Sequence, residues 1–121
     1  MNKRELGTLG ENIATDFLKA NGVEIISRNY FTYFGEIDII RIEKKTIIFI
    51  EVKLRKSFKY GRPLESISLK KLERIKKSAD FFLSENIFFN DYDCRFDVVC
   101  LTYYKKNDTF GIEWLKNQFF S

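Results

Sequence analysis

Two apolar stretches, each broken by single charges, dominate the middle of the chain. Glu36-Ile37-Asp38-Ile39-Ile40-Arg41-Ile42 and Ile47-Ile48-Phe49-Ile50-Glu51-Val52-Lys53 flank the polar segment Glu43-Lys44-Lys45-Thr46. Short apolar runs on either side of a turn signal predict the two strands of a hairpin. If Glu43 pairs with Thr46, then Ile42 faces Ile47, Ile40 faces Phe49, Asp38 faces Glu51 and Glu36 faces Lys53. Directly opposed residues point to the same side of a sheet. Asp38 and Glu51 therefore share a face with Ile40, Ile42, Ile47 and Phe49. An exposed polar face is the plain alternative for such charges. It would not carry three isoleucines and a phenylalanine, so both faces are expected to be at least partly covered.

The same patterns organise the rest of the chain. Residues 5–21 predict a helix whose core stripe is Leu6, Leu9, Ile13 and Phe17, ended by Asn21-Gly22. A second stripe, Gly7, Glu11, Ala14 and Leu18, puts Glu11 on a small apolar face, although spacing alone favours an exposed surface acid there. Gly7 and Gly10 each cost the helix about 1 kcal/mol against alanine, which suggests close approach of a neighbour. Residues 23–29 predict a strand. Tyr30 to Gly35 is rich in aromatics, read as core filling, with base stacking as the alternative. Residues 55–66, with Gly61 and the only proline, Pro63, form a loop that is a candidate flap. Ser66 or Ser68 caps a helix reaching about Asn86, with Leu69, Leu72, Ile75, Ala79 and Phe82 as its buried face. Lys70, Arg74 and Lys77 line another face of it. Arg95 to Thr102 and Phe110 to Trp114 predict the last strands, joined by a turn at 105–109, and the tail has room for one short helical turn. The order is α-β-β-β-α-β-β: an α/β class, one sheet with flanking helices, in a single domain spanning 1–121.

Composition narrows the chemistry. With 45% hydrophobic residues in 121, the chain can bury a core. No apolar run reaches the roughly 20 residues of a membrane helix, and Met1 to Glu5 lacks a signal-peptide pattern, so a cytoplasmic location is expected. Cys94 and Cys100 lie in one predicted strand, about 20 Å apart, and are expected to stay reduced. The chain contains no histidine, which excludes histidine-based zinc sites and catalytic triads. Residues 53–77 hold ten basic residues against two acids. That is a net +8 in a chain of total charge +4, so the remainder is at −4. Such a block after the carboxylate hairpin suits a polyanion, and its bland alternative is a solvated helix face.

Two opposed carboxylates in an apolar hairpin repel, and a divalent cation held by oxygen ligands would relieve them. Oxygen-only ligation favours Mg²⁺ or Mn²⁺. Lys53 projects from the same face, and the set suits phosphodiester hydrolysis.

Four ordered motifs add a family. Gly7-x-x-Gly10-Glu11, Gly35-Glu36-Ile37-Asp38-Ile39-Ile40, Phe49-Ile50-Glu51-Val52-Lys53-x-Arg55 and Arg95-Phe96-Asp97-Val98-Val99 span nearly the whole chain. Together they resemble the YraN-like family of small bacterial proteins, within the PD-(D/E)xK nuclease superfamily that includes archaeal Holliday-junction resolvases. The resemblance implies a restriction-endonuclease-like fold, a mixed central sheet flanked by helices. It implies that Asp38 and Glu51, with the Val52 carbonyl, hold metal and that Lys53 is the catalytic lysine. Glu11 matches the first-helix acid that assists the metal. Glu36 lies within the motif as a supporting residue, and the register makes it a partner of Lys53. Ile37 stands where the superfamily's name has proline. Arg55, Lys56, Lys70, Arg74 and Lys77 are expected to grip the nucleic-acid backbone without reading sequence. The expected function is a metal-dependent endonuclease acting on DNA. The small footprint favours branched or distorted substrates, including recognition by a homodimer. The alternatives are a non-catalytic nucleic-acid-binding or adaptor protein that keeps the fold, and a module that meets an acidic protein.

Overall fold

A computed structural model of the chain describes residues 2–55 and 68–118. In chain order these form α1 (Lys3–Ala20), β1 (Glu24–Thr32), β2 (Gly35–Glu43), β3 (Thr46–Arg55), α2 (Leu69–Glu85), a 3₁₀ turn (Ile87–Phe89), β4 (Asp93–Tyr104) and β5 (Thr109–Leu115). The five strands make one sheet in the order β1-β2-β3-β4-β5. β3 and β4 run parallel and every other neighbouring pair is antiparallel. A parallel pair needs a long crossover, and the connection that carries α2 supplies it. The expected α-β-β-β-α-β-β order and mixed sheet are therefore present; the sequence pattern missed only the 3₁₀ turn.

β3 explains why its run is apolar on both faces. Ile48 and Ile50 pack with Ala14 and Leu18 of α1. Ile47 and Phe49 pack with Ile75, Ala79 and Phe82 of α2. A central strand covered by a helix on each side has no polar face to offer. Local signals set the helix ends. The Asn2 side chain accepts from the Glu5 N–H at 2.8 Å, and the Ser68 hydroxyl accepts from the Lys71 N–H at 3.1 Å. Gly22, with φ of 79°, turns the chain out of α1 in a conformation that costs glycine little.

Packing overrides three expectations. In α1 the innermost face is Gly10, Ala14, Thr15 and Leu18, while Leu6, Leu9, Ile13 and Phe17 are only half-buried. The reason is distance. A Cβ on Gly10 would stand 3.3 Å from Leu101 Cδ1 and 3.6 Å from Leu54 Cδ2, so only the small-residue side lets the helix sit this close. In α2, Leu69 is exposed and Ser78 joins the buried face; the first turn of the helix, through Ser68, Lys70 and Lys71, borders a cavity. The aromatic segment divides. Tyr30 joins the α2-side core, whereas Phe31, Tyr33 and Phe34 are exposed and fill no core. Residues 116–118 are not helical, and the expected flap, with Gly61 and Pro63, lies outside the described residues. Among the described residues no helix is long and apolar enough to cross a membrane.

Asp97, in the fourth sequence motif, is structural. It is fully buried, and it accepts from Arg95 Nε and Nη2 at 2.9 Å each. It also accepts from Trp114 Nε1 at 3.0 Å and the Asn117 N–H at 2.8 Å. One carboxylate thus ties β4 to the end of β5. Asp97→Ala would leave these donors unsatisfied and Arg95 with only the longer contact to Glu43, at 3.8 Å, as counter-charge. The expected loss is about 3–5 kcal/mol, read as a lower urea midpoint. A loss below about 1 kcal/mol would contradict this role.

Candidate metal centre

The hairpin register is as expected over most of its length and changes where the site begins. Glu43↔Thr46, Ile42↔Ile47, Ile40↔Phe49 and Ile39↔Ile50 pair, and there the β2–β3 ladder stops. Asp38 and Glu51 are not ladder partners. On the other side of β2, Arg28 pairs with Ile39 and Tyr30 with Ile37, passing over Asn29 and Asp38. Asn29 adopts φ of 52°, a conformation asparagine tolerates better than most residues. Strand alternation reverses across this step: Ile39 packs on the α1 side and Ile37, two residues away, on the α2 side. Asp38 sits at the reversal. Its Oδ2 accepts from the Val52 N–H at 2.8 Å, so a side chain replaces the ladder bond where the strands part.

Four acids meet at that parting. Carboxylate oxygens of Glu11, Glu36 and Asp38 lie within 4.8 Å of one another. In the orientation that satisfies both ends of its amide, Asn29 donates to Glu36 Oε1 at 2.8 Å and Glu11 Oε1 at 3.2 Å. Glu51 is 5% exposed. Its Oε2 lies 3.7 Å from Lys71 Nζ, and its Oε1 is buried without a hydrogen-bond partner.

Burial and crowding push these acids up. Desolvation is the largest cause at Asp38, partly offset by the Val52 N–H, with the charges of Glu11 and Glu36 adding to the rise; Asp38 reaches about 7. Glu51 is raised by burial and then by Asp38, against the pull of Lys71. Glu11 is raised by burial and then by Glu36, with Arg28 opposing. Lys53 is lowered by burial and then by Lys71 and Arg55.

Two cavities open on the cluster. One of about 440 Å³ lies on the α2 side, bordered by Glu36, Asp38, Glu51, Lys70, Lys71 and Arg74. The other, of about 340 Å³, lies on the α1 side, bordered by Glu11, Asp38, Val52, Leu54 and Lys71. Asp38 and Lys71 line both.

The site therefore gathers Asp38, Glu51, Glu11 and Glu36 as candidate ligands, and Glu11 is no surface acid. Val52 enters through its N–H. Glu36 does not partner Lys53: it pairs with Phe31 across β1 and faces Glu11, because the alternation reverses at Asp38. Lys53 follows Glu51 on β3, half-buried, paired with Cys100 of β4, and borders neither cavity. Lys70 and Arg74 line the α2-side cavity, while Lys77 lies 5.8 Å from the Phe34 ring centre. Arg55 ends β3 with a buried Nε that lacks a partner. Lys56 lies outside the described residues.

Lys71 and Asn29 were missed by the sequence pattern. Lys71 stands four residues before buried Ile75, hence on the inward face of α2. That spacing was the available signal. Because Lys71 holds both carboxyls down, Lys71→Met is expected to raise the titration of Glu51 further. Carboxyl NMR across pH reads this; a fall would remove Lys71 from the site.

A mixed sheet between two helices, with acids from the first helix and the second and third strands converging on one cleft, defines the PD-(D/E)xK nuclease-like class. The chain belongs to the UPF0102 (YraN-like) family within it. The model described as "Uncharacterised protein family UPF0102" matches residues 10–101. A "UPF0102 protein" of Caldicellulosiruptor bescii is 45% identical over 119 residues, covering 98% of this chain and all of that protein. Another from Dictyoglomus turgidum is 39% identical over 119 residues, again 98% of this chain and all of the relative. One from Clostridium botulinum is 37% identical over 116 residues, covering 96% of this chain and 94% of its own length.

Proposed function

We propose that the chain is a Mg²⁺- or Mn²⁺-dependent endonuclease that hydrolyses phosphodiester bonds in DNA. The observation that carries this is the partnerless, buried Oε1 of Glu51 beside an Asp38 already crowded by Glu11 and Glu36. A buried carboxylate oxygen without a donor, in a cluster of four acids, calls for a cation, and a set of oxygen ligands with no histidine fits a hard one. Asp38 and Glu51 would hold it, with Glu11 reaching it directly or through water and the Val52 carbonyl as a further oxygen. Such a cation, when bound, lowers the pKa of a water and offsets charge building on the phosphate. Lys53 orients the attacking water and meets developing negative charge. Lys70 and Arg74, which border the α2-side cavity, hold the sugar-phosphate backbone, and Arg55, Lys56 and Lys77 are assigned the same role from their charge. Branched or distorted DNA suits so small a footprint, with a homodimer as one way to enlarge it. Reduced Cys94 and Cys100, both free, suit the cytoplasm.

One observation favours a second reading. Lys53 borders neither cavity, and Lys71 already supplies Glu51 with a positive charge. A non-catalytic nucleic-acid-binding protein that keeps the fold would look this way. Calorimetric titration of Mn²⁺ into the wild type and Glu51→Gln, followed by incubation with labelled branched and linear DNA, separates the two. Metal binding by the wild type alone, with cleavage, supports the nuclease. Salt-sensitive DNA binding with no metal uptake by either protein supports the binder.

A further inference from the structure

The tip of the β1–β2 hairpin presents aromatic rings to solvent next to the carboxylate cluster. Tyr33 is 95% exposed, Phe31 73% and Phe34 39%. Tyr33 and Phe34 meet edge to face with ring centres 5.6 Å apart, and Phe31 is exposed two residues before Tyr33; leaving aromatic side chains in water forfeits the burial of large apolar areas. The tip is nevertheless held firmly. Thr32 Oγ1 accepts from the N–H groups of Phe34 (3.0 Å) and Gly35 (3.1 Å) and lies 2.9 Å from Ser78 Oγ of α2. Gly35 takes φ of 152°, which side-chain-bearing residues rarely adopt, and a Cβ there would stand 3.6 Å from Arg74 Cβ and 3.8 Å from Ser78 Oγ. The backbone that carries the rings is thus fixed by the body of the protein.

Position gives them an occupant. Phe31 is the cross-strand partner of Glu36, one of the three clustered acids. Gly35 and Glu36 border the α2-side cavity together with Lys70 and Arg74. Lys77 lies over Phe34. A ligand bearing phosphates along the basic face of α2 would bring flat rings of its own to the tip. Rings alternating with phosphates are the chemistry of nucleic acid, and only unpaired bases offer a free π-face.

We propose that Phe31, Tyr33 and Phe34 form a base-stacking platform, so that the preferred ligand has unpaired bases beside the phosphate in the cleft, as in a fork, a flap or a single strand. The proposal rests on the cleft being a nucleic-acid site and adds which nucleic acid it takes.

The test is fluorescence anisotropy of labelled forked, single-stranded and fully paired oligonucleotides. It uses Ca²⁺ in place of Mg²⁺, with wild type, Tyr33→Ala, Phe31→Ala, the double variant and Tyr33→Trp. The expected result is tighter wild-type binding to forks and single strands than to duplex. Loss should be about tenfold for Tyr33→Ala and larger for the double variant on those ligands only, with recovery in Tyr33→Trp. Thermal melting checks that the variants fold, as expected for side chains this exposed. Wild-type binding to nucleic acid that all variants retain would overturn the platform and leave the nucleic-acid cleft standing. No wild-type binding to any of the three ligands would overturn both. Unchanged DNA binding with a shift in sedimentation would make the tip a contact between copies of the chain and overturn the proposal.

Discussion

Asp38→Asn is expected to lower divalent-ion-dependent DNA cleavage by about a thousandfold or more, while DNA binding stays within a few fold of wild type. A thousandfold corresponds to about 4 kcal/mol of barrier, in keeping with losing an inner carboxylate of a metal-assisted reaction. Asparagine is the informative substitution. Its oxygen can still accept from the Val52 N–H, the bond that closes the gap between β2 and β3. Alanine would leave that donor open and mix a folding defect into the result. Removing a negative charge from a cleft lined by Lys70, Lys71 and Arg74 gives no reason for weaker binding to phosphates. Cleavage by gel assay and binding by anisotropy are measured on the same preparation. Equal loss of both would sink the assignment of Asp38 to the metal.

The second large effect is on stability. Metal-free protein is expected to lose thermal stability as pH rises from 5 to about 8.5. Asp38 and Glu51 titrate higher in the folded chain than when unfolded, so the folded state holds protons that the unfolded state has released. Their contribution is fully present below the ordinary carboxylate range, and it is lost as pH climbs through their folded values of about 7 and about 8. The two are neighbours, and the pair, rather than either residue, sets the midpoint. The cost is on the order of a few kcal/mol, or roughly 5–10 °C in Tm. Glu51→Gln carries no charge to desolvate, and its melting curve should flatten over this range. Mn²⁺ should stabilise the wild type most at the alkaline end, where both acids are already ionised. Differential scanning fluorimetry across pH, with Mn²⁺ and with EDTA, reads all three. A wild-type Tm that rises steadily from pH 5 to 8.5 in EDTA would refute the buried-acid account.

Much of this architecture can be read from one dimension. The Glu43 to Thr46 turn, the register from it to Ile39 and Ile50, and the two-sided burial of β3 follow from alternation and turn chemistry, which are local. So does the nomination of Asp38 and Glu51, charged residues standing in apolar strands where charge is costly; Glu11, which spacing alone left as a surface acid, was nominated only by the family resemblance. The failures share a cause. Periodicity shows that a helix has an apolar stripe, but not which stripe meets the sheet. In α1 the closeness demanded by Gly10 against Leu101 chose the smaller one.

Extrapolating a regular ladder put Glu36 beside Lys53. The reversal at Asn29 and Asp38 sent Glu36 to Glu11 instead. The chain by itself determined the order of elements, the hairpin and the carboxylates with which a cation could be held. Only the tertiary structure decided that β2 parts from β3 at Asp38, that Lys71 arrives beside Glu51 from a helix twenty residues on, and that the hairpin aromatics face solvent. Those outcomes depend on contacts between segments distant in sequence, where close packing and desolvation, rather than local propensity, set the free energy.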